Sequence, residues 1–262
     1  MIVPAPLNRE YISVLIPTIN RGSIKTVLTN LCASDRVGEV IISDAGEISI
    51  MSDIDNIVLL DLLRRQGITV KVIREEQKGI GKTRYSLMQE ANYKIALMID
   101  DDILLTNESL NALYNLLNAS NMPYTVPCCH IVTDFLGVKG LDRSPVTWEY
   151  ALKVANGKDW LLPYFNYVPD HRDISLKIKF CGTQAIMFLV EEGLKAVELQ
   201  RWKKGFNRED IYFTKTMGEG FLLTFEICWH LQHNLQWREW MNYDEAIGYQ
   251  NILDGNLEAY LE

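Results

Sequence analysis

The chain has 262 residues, 48% of them hydrophobic, and a formal net charge of −8. That composition argues against disorder, and the acidic balance against general nucleic-acid binding, which needs a basic surface. No run approaches the roughly 20 apolar residues that cross a bilayer, which still leaves a peripheral membrane contact open.

Strand and helix signals alternate from the start. Residues 12–16 read as a strand that Pro17 stops, and residues 23–33 as a helix. A second strand is expected over 39–43, ended by Asp44-Ala45-Gly46. Helical periodicity runs over 53–66 until Gly67, and a third strand over 68–73. A helix over 81–92 precedes a fourth strand at 95–99. Helices between short apolar strands make βαβ units and a parallel sheet.

Beyond Asp102 the rhythm changes. A helix is expected over 107–119 and a strand over 124–132. Residues 133–180, rich in Gly, Pro and aromatics, read as an insertion of variable surface. A strand at 185–190, a helix at 191–203, a helix opening at 207–211 and a strand at 221–229 follow. From Met241 the pattern is that of an amphipathic helix or two. No repeat, low-complexity tract or linker divides the chain, so one domain over 1–262 is expected.

The five cysteines are odd in number and lack C-x-x-C spacing. Thiols in a reducing compartment account for them, and the N-terminal Met1-Ile2-Val3-Pro4 has no leader character, so a cytoplasmic location is expected. Cys128-Cys129-His130 invites a zinc reading, but adjacent cysteines rarely form a tetrahedral pair and no second ligand pair has the spacing.

The most informative segment is Asp100-Asp101-Asp102, directly after the apolar run Ala96-Leu97-Met98-Ile99. A parallel sheet gathers ligands at the carboxyl ends of its strands. Three adjacent anions repel one another, and a divalent cation would cancel that cost. Hard oxygen donors suit Mg²⁺ or Mn²⁺, which usually also hold substrate phosphates. The plainer alternative is a solvated acidic turn that caps the helix after it, with Thr106 or Asn107 as the cap.

Gly79-Ile80-Gly81-Lys82-Thr83 resembles the tail of a P-loop, but Glu76 stands where the first glycine belongs, so an ATPase is rejected. Lys78, Lys82 and Arg84 beside two glycines at a helix start still suit a diphosphate. Glu209 and Asp210 open a later helix. Two acids there favour the helix dipole, and one can serve as general base if its environment tunes it. His230 and His233 follow an apolar strand. Three apart, they face opposite sides, so at most one joins the carboxylates at a metal.

Taken in order, these pieces resemble the nucleotide-sugar glycosyltransferases of the GT-A fold, most closely family 2. Pro17-Thr18-Ile19-Asn20-Arg21 looks like that family's P-T-x-N-R start. Ile42-Ser43-Asp44 is similar to its second strand, and Asp100-Asp101-Asp102 to its D-x-D signature. Gly81-Lys82-Thr83-Arg84 stands at the family's G-x-x-x-A-R-N, without the alanine and asparagine. Gly182-Thr183-Gln184 resembles its acceptor-side segment, and Glu209-Asp210 its E-D base motif. The Q-x-x-R-W of processive polysaccharide synthases is absent, since Gln200-Arg201-Trp202 precedes the acidic pair.

The resemblance implies an α/β GT-A domain. Its nucleotide-sugar half would span 1–105 and its acceptor and base half 106–262. It implies a metal-dependent transferase using Mn²⁺ or Mg²⁺ and a UDP- or GDP-sugar. The acceptor would be carbohydrate, lipid-linked or protein. Asp102, with Asp100 and His230 or His233, would hold the metal. Asp100 and Asp101 would meet the ribose side. Thr18 and Asp44 would hold the base, and Pro17, Asn20 and Arg21 would bind the nucleotide with them. Lys78, Gly81 and Arg84 would touch the diphosphate. Asp210, then Glu209, would be the base of an inverting reaction. A retaining transferase, a nucleotidylyltransferase (whose Gly-rich first loop is absent) and a non-catalytic nucleotide or carbohydrate binder are the rivals.

Overall fold

The structure, a computed structural model, describes residues 10–75, 80–132, 148–155, 162, 175–181, 184–198 and 209–231. Its centre is one nine-stranded sheet. Strands β1 (Ile12–Thr18), β2 (Val37–Asp44), β3 (Thr69–Arg74) and β4 (Ile95–Ile99) form the first half. They run parallel in the order β3-β2-β1-β4. Helices α1 (Ile24–Cys32), α2 (Ile54–Arg65) and α3 (Ile80–Gln89) make the crossovers. After β4 come β5 (Ile103–Leu105), α4 (Asn107–Ala119), β6 (Tyr124–Val132), α5 (Trp148–Ala155) and β7 (Leu176–Ile178). The last described elements are β8 (Ala185–Leu189), α6 (Val190–Glu198), α7 (Glu209–Met217) and β9 (Gly220–Leu231).

The second half joins through β8, antiparallel to β4. The sheet continues β8-β6-β9-β5, with β7 also on β9. Side chains alternate along a strand, so each strand feeds two cores. Val14, Ile16, Val40, Ile42, Leu97 and Ile99 face α1, α2 and α4. Leu15, Ile41, Ala96 and Met98 face α3, α6 and α7. The result is three layers around a buried sheet.

Local signals fix the helix ends. The Asp53 carboxylate caps α2 by accepting from the Asp55 amide at 2.9 Å. Gly67 ends that helix at φ 86, where a side chain is strained. Thr106 caps α4, accepting from the Ser109 amide at 3.0 Å, as the plainer alternative expected, but the acidic turn is not solvated, since Asp101 and Asp102 are buried.

Three expectations are corrected. Pro17 does not stop the first strand. Pairing with β4 ends at Leu15, so Pro17 lies where β1 is bonded to β2 alone, and a missing N–H is tolerated there. The acidic turn leads into β5, not directly into a helix, a strand too short for periodicity to reveal. The stretch 133–180 is not all surface, because β7 enters the sheet and buries Ile178.

Candidate active site

Thr18, Asp44 and Arg74 lie in register across the carboxyl ends of β1, β2 and β3. The acidic triplet follows β4 at the same end. Its backbone is pinned from three sides. The Asp100 amide donates to the Gln184 carbonyl at 3.0 Å, and the Ile103 amide closes the turn onto the Asp100 carbonyl at 3.2 Å. The Leu231 amide, at the end of β9, donates to the Asp102 carbonyl at 2.7 Å. The turn thus joins the two halves of the sheet.

Each carboxylate has partners. The Thr18 hydroxyl donates to Asp101 Oδ2 at 2.6 Å. Arg21 Nη1 bridges Asp101 Oδ1 at 3.1 Å and Asp102 Oδ2 at 3.2 Å. Arg84, reaching across from α3, donates to Asp100 Oδ1 at 2.9 Å. His230 Nε2, on β9, lies 3.3 Å from Asp102 Oδ2. Burial pushes the Asp101 carboxyl up to about 6, against the pull of Arg21 and Thr18. Burial also raises Asp100, opposed by Arg84 and reinforced by Asp102. For His230 burial alone would lower the pKa, but contacts with Asp102 and Cys129 hold it up at about 10.

This arrangement corrects the repulsion argument. Arg21, Arg84 and His230 already offset the three anions, so charge balance by itself does not require a metal. Among the described residues no group of three His, Cys, Asp or Glu is placed to cage one. Two donors do converge, Asp102 Oδ2 and His230 Nε2. A pair of that kind fits a Mg²⁺-type cation that takes its other ligands from phosphate oxygens and water. A neutral His230 ring would be needed for that contact.

Asp44 is fully buried. Its Oδ1 accepts from the Gly46 amide at 3.3 Å and from Arg74 Nη1 at 2.9 Å. Its Oδ2 accepts from the Ser49 hydroxyl at 2.7 Å and the Ile50 amide at 3.0 Å. A carboxylate offers about four lone-pair sites, so this one is spent on shaping the loop after β2. Asn20 opens the neighbouring loop in the left-handed region, at φ 63. Its amide donates to the Thr18 hydroxyl at 2.8 Å and its side chain to the Ile48 carbonyl at 3.1 Å.

The remaining expected residues fall as follows. Pro17 sits in β1, and Gly81 and Arg84 in the first turns of α3. Glu209 and Asp210 begin α7, which packs against α3 and α6. Their side chains, and Lys78, Gly182, Thr183 and His233, lie outside the described residues. Arg74 and Ser49 were missed, while Gln184 was expected only in the acceptor-side segment and Cys129 only in the rejected zinc reading. Both were in reach, since Arg74 ends the third strand directly opposite Asp44 and Ser49 follows Asp44 by five positions, whereas Gln184 and Cys129 act through contacts distant in sequence.

The family model described as Glycosyl transferase family 2 matches residues 13–188. No curated protein matches the chain. Among solved structures it is similar to S. aureus TarS 1-349, at 16% identity and TM-score 0.56, over 84% of this chain and 60% of that one. The complex of TarS 1-349 with UDP-GlcNAc matches at 15% identity and TM-score 0.56, over 86% and 59%. GalNAc-T7 with UDP, GalNAc and Mn²⁺ matches at 12% identity and TM-score 0.62, over 86% of this chain and 44% of that one. The chain therefore spans less than two thirds of each of these structures.

Proposed function

The chain belongs to glycosyl transferase family 2 and has a GT-A fold, and from that premise we propose that it moves a sugar from a UDP- or GDP-sugar to an acceptor hydroxyl, with a divalent cation and inversion at the anomeric carbon. One observation carries this reading: Asp102, His230, Asp101 and Asp100 converge at the carboxyl ends of the strands. The GalNAc-T7 structure with UDP, GalNAc and Mn²⁺ supports the cation and the nucleotide class. The unbroken sheet supports a single domain with a nucleotide half (1–105) and an acceptor half (106–262).

In this reading Asp102 and His230 hold the cation. When bound, Mn²⁺ or Mg²⁺ supplies Lewis-acid neutralisation of the diphosphate leaving group. Asp100, held by Arg84, faces the ribose and diphosphate side. Asp101, buried under Thr18 and Arg21, fixes the turn. Asp44 builds the loop that meets the base, and Gly81 in the first turn of α3, with Lys78, is assigned to the diphosphate. Asp210, or its neighbour Glu209, takes the acceptor proton as the new bond forms. The acceptor is carbohydrate, lipid-linked or protein. None of the five cysteines forms a disulfide, which supports a reducing, cytoplasmic setting. No helix among the described residues is long and apolar enough to cross a membrane.

A thermal-shift panel of UDP, GDP and their sugars, each with and without Mn²⁺, tests the reading. A ligand that binds only the native state at 100 times its Kd adds about 2.7 kcal/mol. One nucleotide is expected to raise Tm by several degrees with Mn²⁺ and far less without it. Asp102→Asn is expected to lose the Mn²⁺-dependent part. Equal shifts with and without metal would overturn metal dependence, and no shift with any nucleotide would overturn the donor class.

A further inference from the structure

Three cations face the acidic triplet, but they are not alike. The Arg84 and His230 side chains are each 10% exposed, whereas that of Arg21 is 43% exposed. Arg21 reaches carboxylates that are themselves 3% and 6% exposed. It therefore covers Asp101 and Asp102 from the solvent side. Its position is built into the loop. Asn20 sits in the left-handed region and is tied to Thr18 and to Ile48. The Thr18 hydroxyl that receives the Asn20 amide also donates to Asp101, so one group registers the loop to the triplet.

Arg21 and His230 share a single oxygen, Asp102 Oδ2. A divalent cation on that oxygen would lie within a few ångströms of the guanidinium, and like charges at that distance repel. The buried His230 can stay as a ligand by giving up its ring proton to solvent, whereas a guanidinium keeps its charge and the exposed arginine has room to leave. A guanidinium that leaves a carboxylate pairs equally well with a phosphate.

Resting on the reading above, we propose that Arg21 is a displaceable counter-ion, which covers Asp101 and Asp102 before the cation binds, yields Asp102 to it, and turns to the diphosphate that arrives with it. Arg21 then couples the two ligands. The cation alone must displace the arginine without return, and the nucleoside diphosphate gives the arginine a new partner.

Mn²⁺ binding followed by the EPR signal of the unbound ion tests this on the wild type, Arg21→Gln and Arg21→Lys, each with and without UDP. In the wild type UDP is expected to tighten Mn²⁺ binding on the order of tenfold or more, a normal size for coupled sites. Arg21→Gln is expected to bind Mn²⁺ alone more tightly than the wild type, with the UDP enhancement reduced. Arg21→Lys keeps the charge without the fork and is expected to lie between. Should Arg21→Gln not fold, the lysine variant alone decides by the same ordering. Unchanged or weaker Mn²⁺ binding in the variants, with wild-type binding intact, overturns this role of Arg21 and leaves the transferase reading standing. Absence of Mn²⁺ binding in every protein, with UDP present, overturns metal dependence and this inference together.

Discussion

At Asp44 three donors from the loop after β2 and Arg74 from β3 converge on one buried carboxylate. Asp44→Ala removes the acceptor of two amides and the Ser49 hydroxyl, and leaves Arg74 only its backbone carbonyl partners. Stranding buried donors costs about 1–3 kcal/mol, and the half-exposed Arg74 adds little through solvent-screened charge, so chemical denaturation is expected to show a loss of that order. Donor affinity falls with it because the loop loosens. Full stability with lost donor affinity would instead make Asp44 a direct contact to the base. Asp210 bears a different test. Asp210→Asn keeps shape and removes basicity, so kcat is expected to fall roughly 10²–10⁴-fold. Nucleotide affinity, read by calorimetry, should barely move. Proton NMR of the first-formed product should show inverted anomeric configuration. Retention would leave the pair as acceptor-binding or helix-capping residues.

Elements with strong local signals were legible and the rest were not. The strand at 95–99 and the helix at 107–119 appear with the expected bounds, because an apolar run and a capped amphipathic pattern are local properties. Strands β5 and β7 have three residues each and exist only through β9. Partners also decide how tightly a strand tolerates change. A Cβ on Gly220 would lie 2.2 Å from the Tyr124 ring, which is fully buried on β6. Gly220→Ala is therefore expected to destabilise the protein by about 1–3 kcal/mol, the usual cost of overpacking a filled core. An unchanged denaturation midpoint would show that β6 and β9 separate more easily than their packing indicates.

Across the whole molecule, β4 pairs with β8 over five residues and the Asp102 backbone is tied to Leu231. The nucleotide and acceptor halves thus share one sheet and one turn. They are expected to unfold in a single transition, with near- and far-UV circular dichroism coincident. Two separated transitions would assign them to independent domains.

The sequence by itself determined the alternating α/β plan, the acidic triplet at a strand end and the order of motifs that resembles family 2. Those features depend on periodicity and adjacency, which a linear chain records. Tertiary structure alone decided which charges meet. His230 reaches Asp102 across 128 positions and Arg21 across 81. It also showed that Asp44, buried and bonded to three donors of the following loop and to Arg74 on β3, anchors that loop. Repulsion among three carboxylates is legible in the chain, but their cancellation by Arg21, Arg84 and His230 depends on distances that only the folded sheet sets.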